Sequence, residues 1–210
     1  MERFHKDNLH QLCDALAAKD GDLKKIIDHY GYPPVWIRTN SFETLVLTIL
    51  EQQVSLASAY AAFKRLKKEL SFVSPQHFLK LSDETLRNCY FSKQKIVYTR
   101  ELAQSILSGS ISLRKFHYQE DELVRERLMK LKGIGGWTTD IYLLHALKRT
   151  DIFPLGDLAL VNVLKMVLDW PSASKDEMLL YSRRWQPYRS IATMIFWHYY
   201  IQKKGIRIAA

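Results

Sequence analysis

The sequence predicts an all-α protein built as two helical lobes. Three observations lead there. Apolar residues recur at helical spacing in segment after segment, and capping residues stand in front of most of these segments. No alternating run bounded by hairpin turns offers a convincing strand. The 210 residues are 47% apolar and 25% charged, a globular balance that excludes wholesale disorder.

Leu9, Leu12, Cys13 and Leu16 place a first amphipathic helix over Lys6–Ala18. A second covers Asp22–Tyr30 and is stopped by Gly31 and the Pro33-Pro34 pair. Asn40 with Glu43 reads as a capping box for an apolar helix carrying Leu45, Leu47, Ile49 and Leu50. Gln52-Gln53-Val54-Ser55 breaks that helix, and Ser55 caps the next one over Leu56–Leu70. Ser74-Pro75 and Ser82-Asp83-Glu84 each announce a short helix, and Ser92 caps a longer one ending near Gly109. Residues 110–120 carry the weakest pattern and read as a loop between lobes. Helices follow over Asp121–Leu131, Trp137–Leu147 and Leu158–Leu168. Ser174 and Glu177 form another capping box, with its helix running to about Trp185, and Pro187 opens a last helix to about Lys204. One lobe is expected over 35–150, the other over 1–34 with 151–210, with a binding cleft between them.

Lys and Arg number 31 against 22 Asp and Glu, a formal charge of +9, which favours polyanionic partners. Two cysteines are too few for a disulfide scaffold, a zinc ribbon or a cysteine-ligated iron–sulfur cluster. The charged start of the chain lacks the apolar core of a signal peptide, and the run Ile191–Ile201 is too short to span a bilayer. A soluble intracellular monomer that binds no membrane is expected. The histidines form no zinc pattern, so no catalytic metal is expected.

The most informative string is Leu131-Lys132-Gly133-Ile134-Gly135-Gly136-Trp137-Thr138-Thr139, lying between two helices. Ile134 can anchor the turn from below, while Gly133 and Gly135 let the backbone turn tightly and approach a surface. Amides opening the following helix then face outward as an anion site, and for a basic chain the anion is a DNA phosphate. A bare G-x-G would be read as an ordinary turn between packed helices; the full nine-residue string favours phosphate, with Gly133, Ile134, Gly135, Gly136 and Thr138 as its residues. Twenty positions after Trp137 stands Asp157, in Pro154-Leu155-Gly156-Asp157-Leu158.

Hairpin, following helix and loop aspartate together resemble the helix–hairpin–helix, Gly/Pro-rich, aspartate signature of the base-excision DNA glycosylases. Two further strings carry the resemblance. Ile49-Leu50-Glu51-Gln52-Gln53-Val54-Ser55 is similar to the segment before the DNA-inserting loop of alkylbase glycosylases, and Trp185-Gln186-Pro187-Tyr188-Arg189-Ser190-Ile191-Ala192 to their C-terminal segment. The ordered matches span about residues 35–200 and look most like the DNA-3-methyladenine glycosylase II type. The resemblance implies a monofunctional enzyme that flips an alkylated purine out of duplex DNA and hydrolyses its N-glycosidic bond. Bifunctional members carry a lysine where this chain has Trp137, and tryptophan cannot form the Schiff base that strand cleavage needs.

By the same resemblance Asp157 faces the deoxyribose C1′, where a fixed anion stabilises the positive charge of the transition state and orients water. Its bland role, an N-cap, is compatible with that. Trp137, Tyr188, Trp185 and Tyr142 become pocket residues, with ordinary core as the alternative for each. Gln53 fills the gap left by the flipped base, and Gln52 braces its loop. Lys130, Lys132, Lys148, Arg149, Arg183, Arg184 and Arg189 lie near the motifs as candidate phosphate contacts, about half of which would serve. The resemblance implies a structural monovalent cation on the carbonyls of Leu131 and Ile134 and no other cofactor. Two other readings stay open: a glycosylase for oxidised or deaminated bases, and a hairpin DNA-binding protein without activity.

Overall fold

A computed structural model describes residues 2–206. Those residues are helical throughout, with one isolated antiparallel bridge between Arg3 and Arg149 in place of any strand. The chain divides into two compact units. Of the described residues, one unit gathers 2–37 and 143–206; the other runs from Arg38 to Tyr142. The second junction falls inside a helix and not near residue 150. No glycine, proline or polar run marks it, which is why composition misplaced it.

The first unit holds α1 (Leu9–Ala17), α2 (Gly21–Tyr30), α11 (Leu158–Val167), α12 (Lys175–Ser182), a 3-10 turn over Arg183–Trp185, and α13 (Arg189–Lys204). α13 starts at Arg189, because Tyr188, at φ −122° and ψ 33°, is not yet helical. It is the hub. Its buried Ile191, Ala192, Met194, Ile195 and Phe196 pack with α1, α2 and α11. Each of these side chains except Ala192 contributes about 1.5–3 kcal/mol by leaving water.

Trp185 is 1% exposed and sits among Phe153, Tyr181 and Phe196, with ring centroids 5.1–5.9 Å apart. Its indole N–H donates to Oδ2 of Asp20 at 2.8 Å. Trp185 is therefore core and not a base pocket. A large ring with one donor was given a buried partner, the usual condition for burying it. Asp20 serves twice, because its Oδ1 accepts the Asp22 and Leu23 amides and caps α2.

The other unit holds α3 (Phe42–Glu51), α4 (Leu56–Glu69), α5 (Pro75–Lys80), α6 (Asp83–Asn88), α7 (Lys93–Leu107), α8 (Leu113–Phe116) and α9 (Asp121–Met129). α10 (Gly136–His145) begins here and ends in the first unit. α7 packs on α3, α5 and α6, and α3 on α4. Except at the half-exposed Glu43, which pairs with Lys67 of α4, α3 is buried along its length. Its end carries a buried ion pair: Arg38 grips both carboxylate oxygens of Glu51, at 2.6 and 2.9 Å. Burial opposes the Arg38 charge, but the bonds to Glu51 outweigh it and push the guanidinium pKa up.

Two local expectations are corrected. Residues 110–120 are no lobe linker. They hold α8, capped by Ser112 and pinned by the fully buried Phe116. Four residues give too little periodicity to be seen in sequence. The cap of α3 is Ser41, whose hydroxyl accepts the Thr44 amide. Asn40 is turned elsewhere, donating to Leu113 O at 2.8 Å and accepting the Tyr142 hydroxyl. Tyr142 is 0% exposed and packs edge-on to Phe116, so it too is core and not pocket.

Both cysteines are buried free thiols. Burial, helped by the Asp14 charge, pushes the Cys13 thiol up to about 12, and burial raises Cys89 as well. Among the described residues no helix is long and apolar enough to cross a membrane. None of their His, Cys, Asp and Glu side chains group as a metal site.

Asp20→Ala removes a helix cap and orphans a buried indole N–H together. The variant should lose about 2–4 kcal/mol of stability, read as a lower urea midpoint at unchanged slope.

Candidate active site

The hairpin joins α9 to α10. Leu131 N donates to Leu128 O and Ile134 N to Leu131 O, so two tight turns follow each other. Gly133 adopts φ +80°, the left-handed region that glycine alone enters freely. A Cβ there would lie 2.1 Å from the Tyr98 ring, so the glycine is required by contact as well as by conformation. Ile134, 3% exposed, anchors the turn from below as expected. Arg125 of α9 pairs with Asp140 of α10 and clamps the two helices.

Gly135 and Gly136 are exposed, with open space where a Cβ would stand. The first amides of α10 have no intrahelical acceptor, and the helix dipole lies behind them. A negatively charged oxygen is the group that suits this turn. Thr138 is not part of the anion-facing surface: it is 2% exposed and its hydroxyl accepts from Gln52.

Gln52 is the point where two distant segments meet. Its amide donates to Gly133 O and to Thr138 Oγ1, both at 2.8 Å, across sequence separations of 81 and 86 residues. It thus braces the hairpin as well as its own loop. Its neighbour Gln53 is exposed at φ +57°, followed by half-exposed Val54 and by Ser55, which caps α4. Gln53 is a protruding polar side chain on a pinned backbone.

Asp157 lies in the other unit. The turn that presents it closes through Asp157 N to Pro154 O at 2.8 Å. Its Oδ1 accepts the Leu160 amide at 2.8 Å, capping α11, and the indole N–H of Trp197 from α13 at 3.0 Å. The Trp197 ring stacks on His145, with centroids 5.5 Å apart and planes at 17°. His145 Nδ1 lies 2.6 Å from the Trp36 carbonyl oxygen, so that nitrogen carries a proton and donates. The carboxylate is held by bonds from two helices, its orientation fixed while it remains half-exposed. A fixed anion of this kind can stabilise a developing cation or orient a water.

Trp137 is half-buried in the first turn of α10, beside the hairpin, and Tyr188 is half-buried at the start of α13. Burial and the Glu2 carboxylate push the Tyr188 phenol up. Of the candidate phosphate contacts, Arg149 is 1% exposed and Arg189 is held bidentately by Asp151, so neither faces solvent as a free cation. Arg184 lies over the Tyr181 ring, and Lys130 pairs with Glu126. Arg183 and Lys132 are exposed. Sequence reasoning missed Trp197, since nothing in its α13 surroundings marks it as a partner for an aspartate forty positions away.

Comparison with known proteins gives the family. Residues 46–188 match the family described as the HhH-GPD superfamily of base excision DNA repair proteins. The chain belongs to that superfamily. A Bacillus subtilis protein assigned as a DNA-3-methyladenine glycosylase is 30% identical over 185 residues, covering 83% of this chain and 64% of the relative. DNA-3-methyladenine glycosylase 1 of Schizosaccharomyces pombe is 29% identical over 83% of this chain and 79% of its own length. The chain therefore spans about two thirds to four fifths of these relatives. The structure of an S. pombe 3-methyladenine DNA glycosylase in complex with abasic DNA superposes with a TM-score of 0.84 at 27% identity, over 95% of this chain and 100% of the other.

Gly133→Ala forces a side chain into the left-handed region and into the Tyr98 ring. It should cost about 2–4 kcal/mol by chemical denaturation.

Proposed function

We propose that this protein is a monofunctional DNA glycosylase that removes alkylated purines, of the 3-methyladenine and 7-methylguanine type, from duplex DNA. The observation that carries the reading is the Asp157 carboxylate, fixed by Leu160 N and Trp197 Nε1 at the mouth of a Gly/Pro loop. Phosphate binding alone has no use for an anion there. The named relatives and the DNA-bound structural neighbour support the substrate class.

The hairpin amides of Gly135 and Gly136 hold a backbone phosphate, and Gln53 enters the stack as the damaged base leaves it. An alkylated purine is cationic, so its glycosidic bond is already weakened and needs no general acid. Trp137 offers a ring face that attracts this cation. As the bond lengthens, positive charge moves onto the sugar. Asp157 opposes it and orients the water that attacks C1′. The free base and an abasic site leave, and the chain acts as a monomer.

The structural monovalent cation implied by the family would sit on the carbonyls of Leu131 and Ile134. Leu131 O accepts the Ile134 amide at 3.1 Å and keeps a second lone pair, and hard carbonyl oxygens suit an alkali cation. Bound there, it would add positive charge behind a DNA phosphate.

Asp157→Asn keeps the shape and the cap but removes the charge. Release of methylated base from alkylated duplex should fall roughly a hundredfold or more, with DNA binding retained. Near-normal release would move the catalytic anion elsewhere. With Trp137 at the lysine position, the product strand should stay intact until alkali treatment, and borohydride should trap no protein–DNA adduct. A trapped adduct would show that an amine attacks C1′.

A further inference from the structure

Three residues of α7, spaced three apart, face the two elements that the proposed function assigns to DNA. Lys95 reaches the end of α3. Its ammonium donates to Leu50 O at 2.7 Å and to Gln52 O at 3.0 Å, taking up carbonyls that a helix terminus leaves without intrahelical partners. Tyr98 lies flat against Gly133, leaving no room for a Cβ. Glu101 accepts the Lys132 amide at 2.9 Å. At this spacing the three side chains share one face of the helix.

We propose that α7 is a strut that keeps the Gln53 loop in register with the hairpin, and that Lys95 is a positioning residue for base extrusion. This rests on the reading of Gln53 as the side chain that enters the DNA stack. A wedge is useful only at a fixed distance from the phosphate that the hairpin grips. A loop whose main chain is free to relax would bend away as DNA pushes on it. The protruding residue, Gln53, carries no such anchor of its own; the carbonyls on its N-terminal side do. Lys95 holds two of them, and the Gln52 amide ties the same residue to Gly133 and Thr138. Wedge and hairpin are thereby referred to one rigid helix of fifteen residues. Partial burial drives the Lys95 pKa down, the mark of a cation drawn inward to reach carbonyls and not left in water.

The test uses the whole protein and a duplex carrying a tetrahydrofuran abasic analogue with 2-aminopurine beside it. Insertion of the wedge unstacks the reporter and raises its fluorescence without any base release. Wild-type protein should raise the signal. Lys95→Met, which keeps the length of the stem but donates no hydrogen bond, should lose at least half of that rise, as should Gln53→Ala. For Lys95→Met the thermal midpoint should stay within about 4 °C of wild type, and the affinity for undamaged duplex, which the hairpin governs, within twofold. Glu101→Gln keeps the acceptor for Lys132 N and should behave as wild type in every arm. A full fluorescence rise with Lys95→Met overturns the proposal, and so does an equal loss of affinity for undamaged duplex, which would make Lys95 a general support. No rise with wild-type protein also overturns it, since the loop would then be no wedge. Failure of the glycosylase reading looks different: the signal rises, yet methylated DNA releases no base.

Discussion

A surface that must meet another molecule with its main chain cannot close that main chain upon itself. The hairpin proposed to hold a phosphate is such a surface, and the Gln53 loop, which offers DNA a side chain, shares the same open main chain. The end of α3 leaves carbonyls to which no following turn donates, and the hairpin leaves amides that must stay open outward. Left alone, either would be satisfied by water and would wander. The protein supplies the missing partners from elsewhere in the same unit: a lysine for the α3 carbonyls, a glutamine amide for the Gly133 carbonyl, a glutamate for the Lys132 amide. Rigidity at the exposed loop comes from long polar side chains aimed inward. The apolar core beneath, α3 against α4 and α7, sets where those side chains begin.

In the other unit the same economy governs Asp157. One carboxylate oxygen serves as helix cap and as acceptor for Trp197, so its orientation is decided by two helices at once. The stacked His145 braces the tryptophan and is itself fixed by a main-chain carbonyl. An acid that only capped its own helix could rotate with the loop that bears it. This one is tied to α13, the hub of its unit.

Much of this was legible in the sequence, because much of it is local. Capping serines at Ser55, Ser74, Ser82, Ser92 and Ser174 announce their helices at the positions observed, since an N-cap bond spans three residues. The hairpin and Asp157 stood out because their chemistry restricts residue type at fixed spacing. What failed was long-range. Asn40 reads as a cap in sequence, since its tie to Leu113 lies 73 positions away. Trp185 and Tyr142 looked like pocket rings, since an aromatic side chain gives no sign of whether a buried acceptor awaits it. Thr138 reads as part of the anion surface in sequence, but its hydroxyl turns to Gln52, 86 positions away. Arg149, a cation beside a DNA motif, is buried.

The two thiols have a meaning beyond packing. Agents that alkylate purines are electrophiles, and the thiolate is the form of cysteine that electrophiles consume. A protein proposed to work where such agents are present is itself exposed to them. Here both sulfurs are buried, Cys13 within α1 and Cys89 just past the end of α6, and Cys13 is held protonated far above neutral pH. The chain withholds its most reactive soft nucleophiles from the chemistry whose damage it is proposed to repair, and can stay functional while that chemistry is under way.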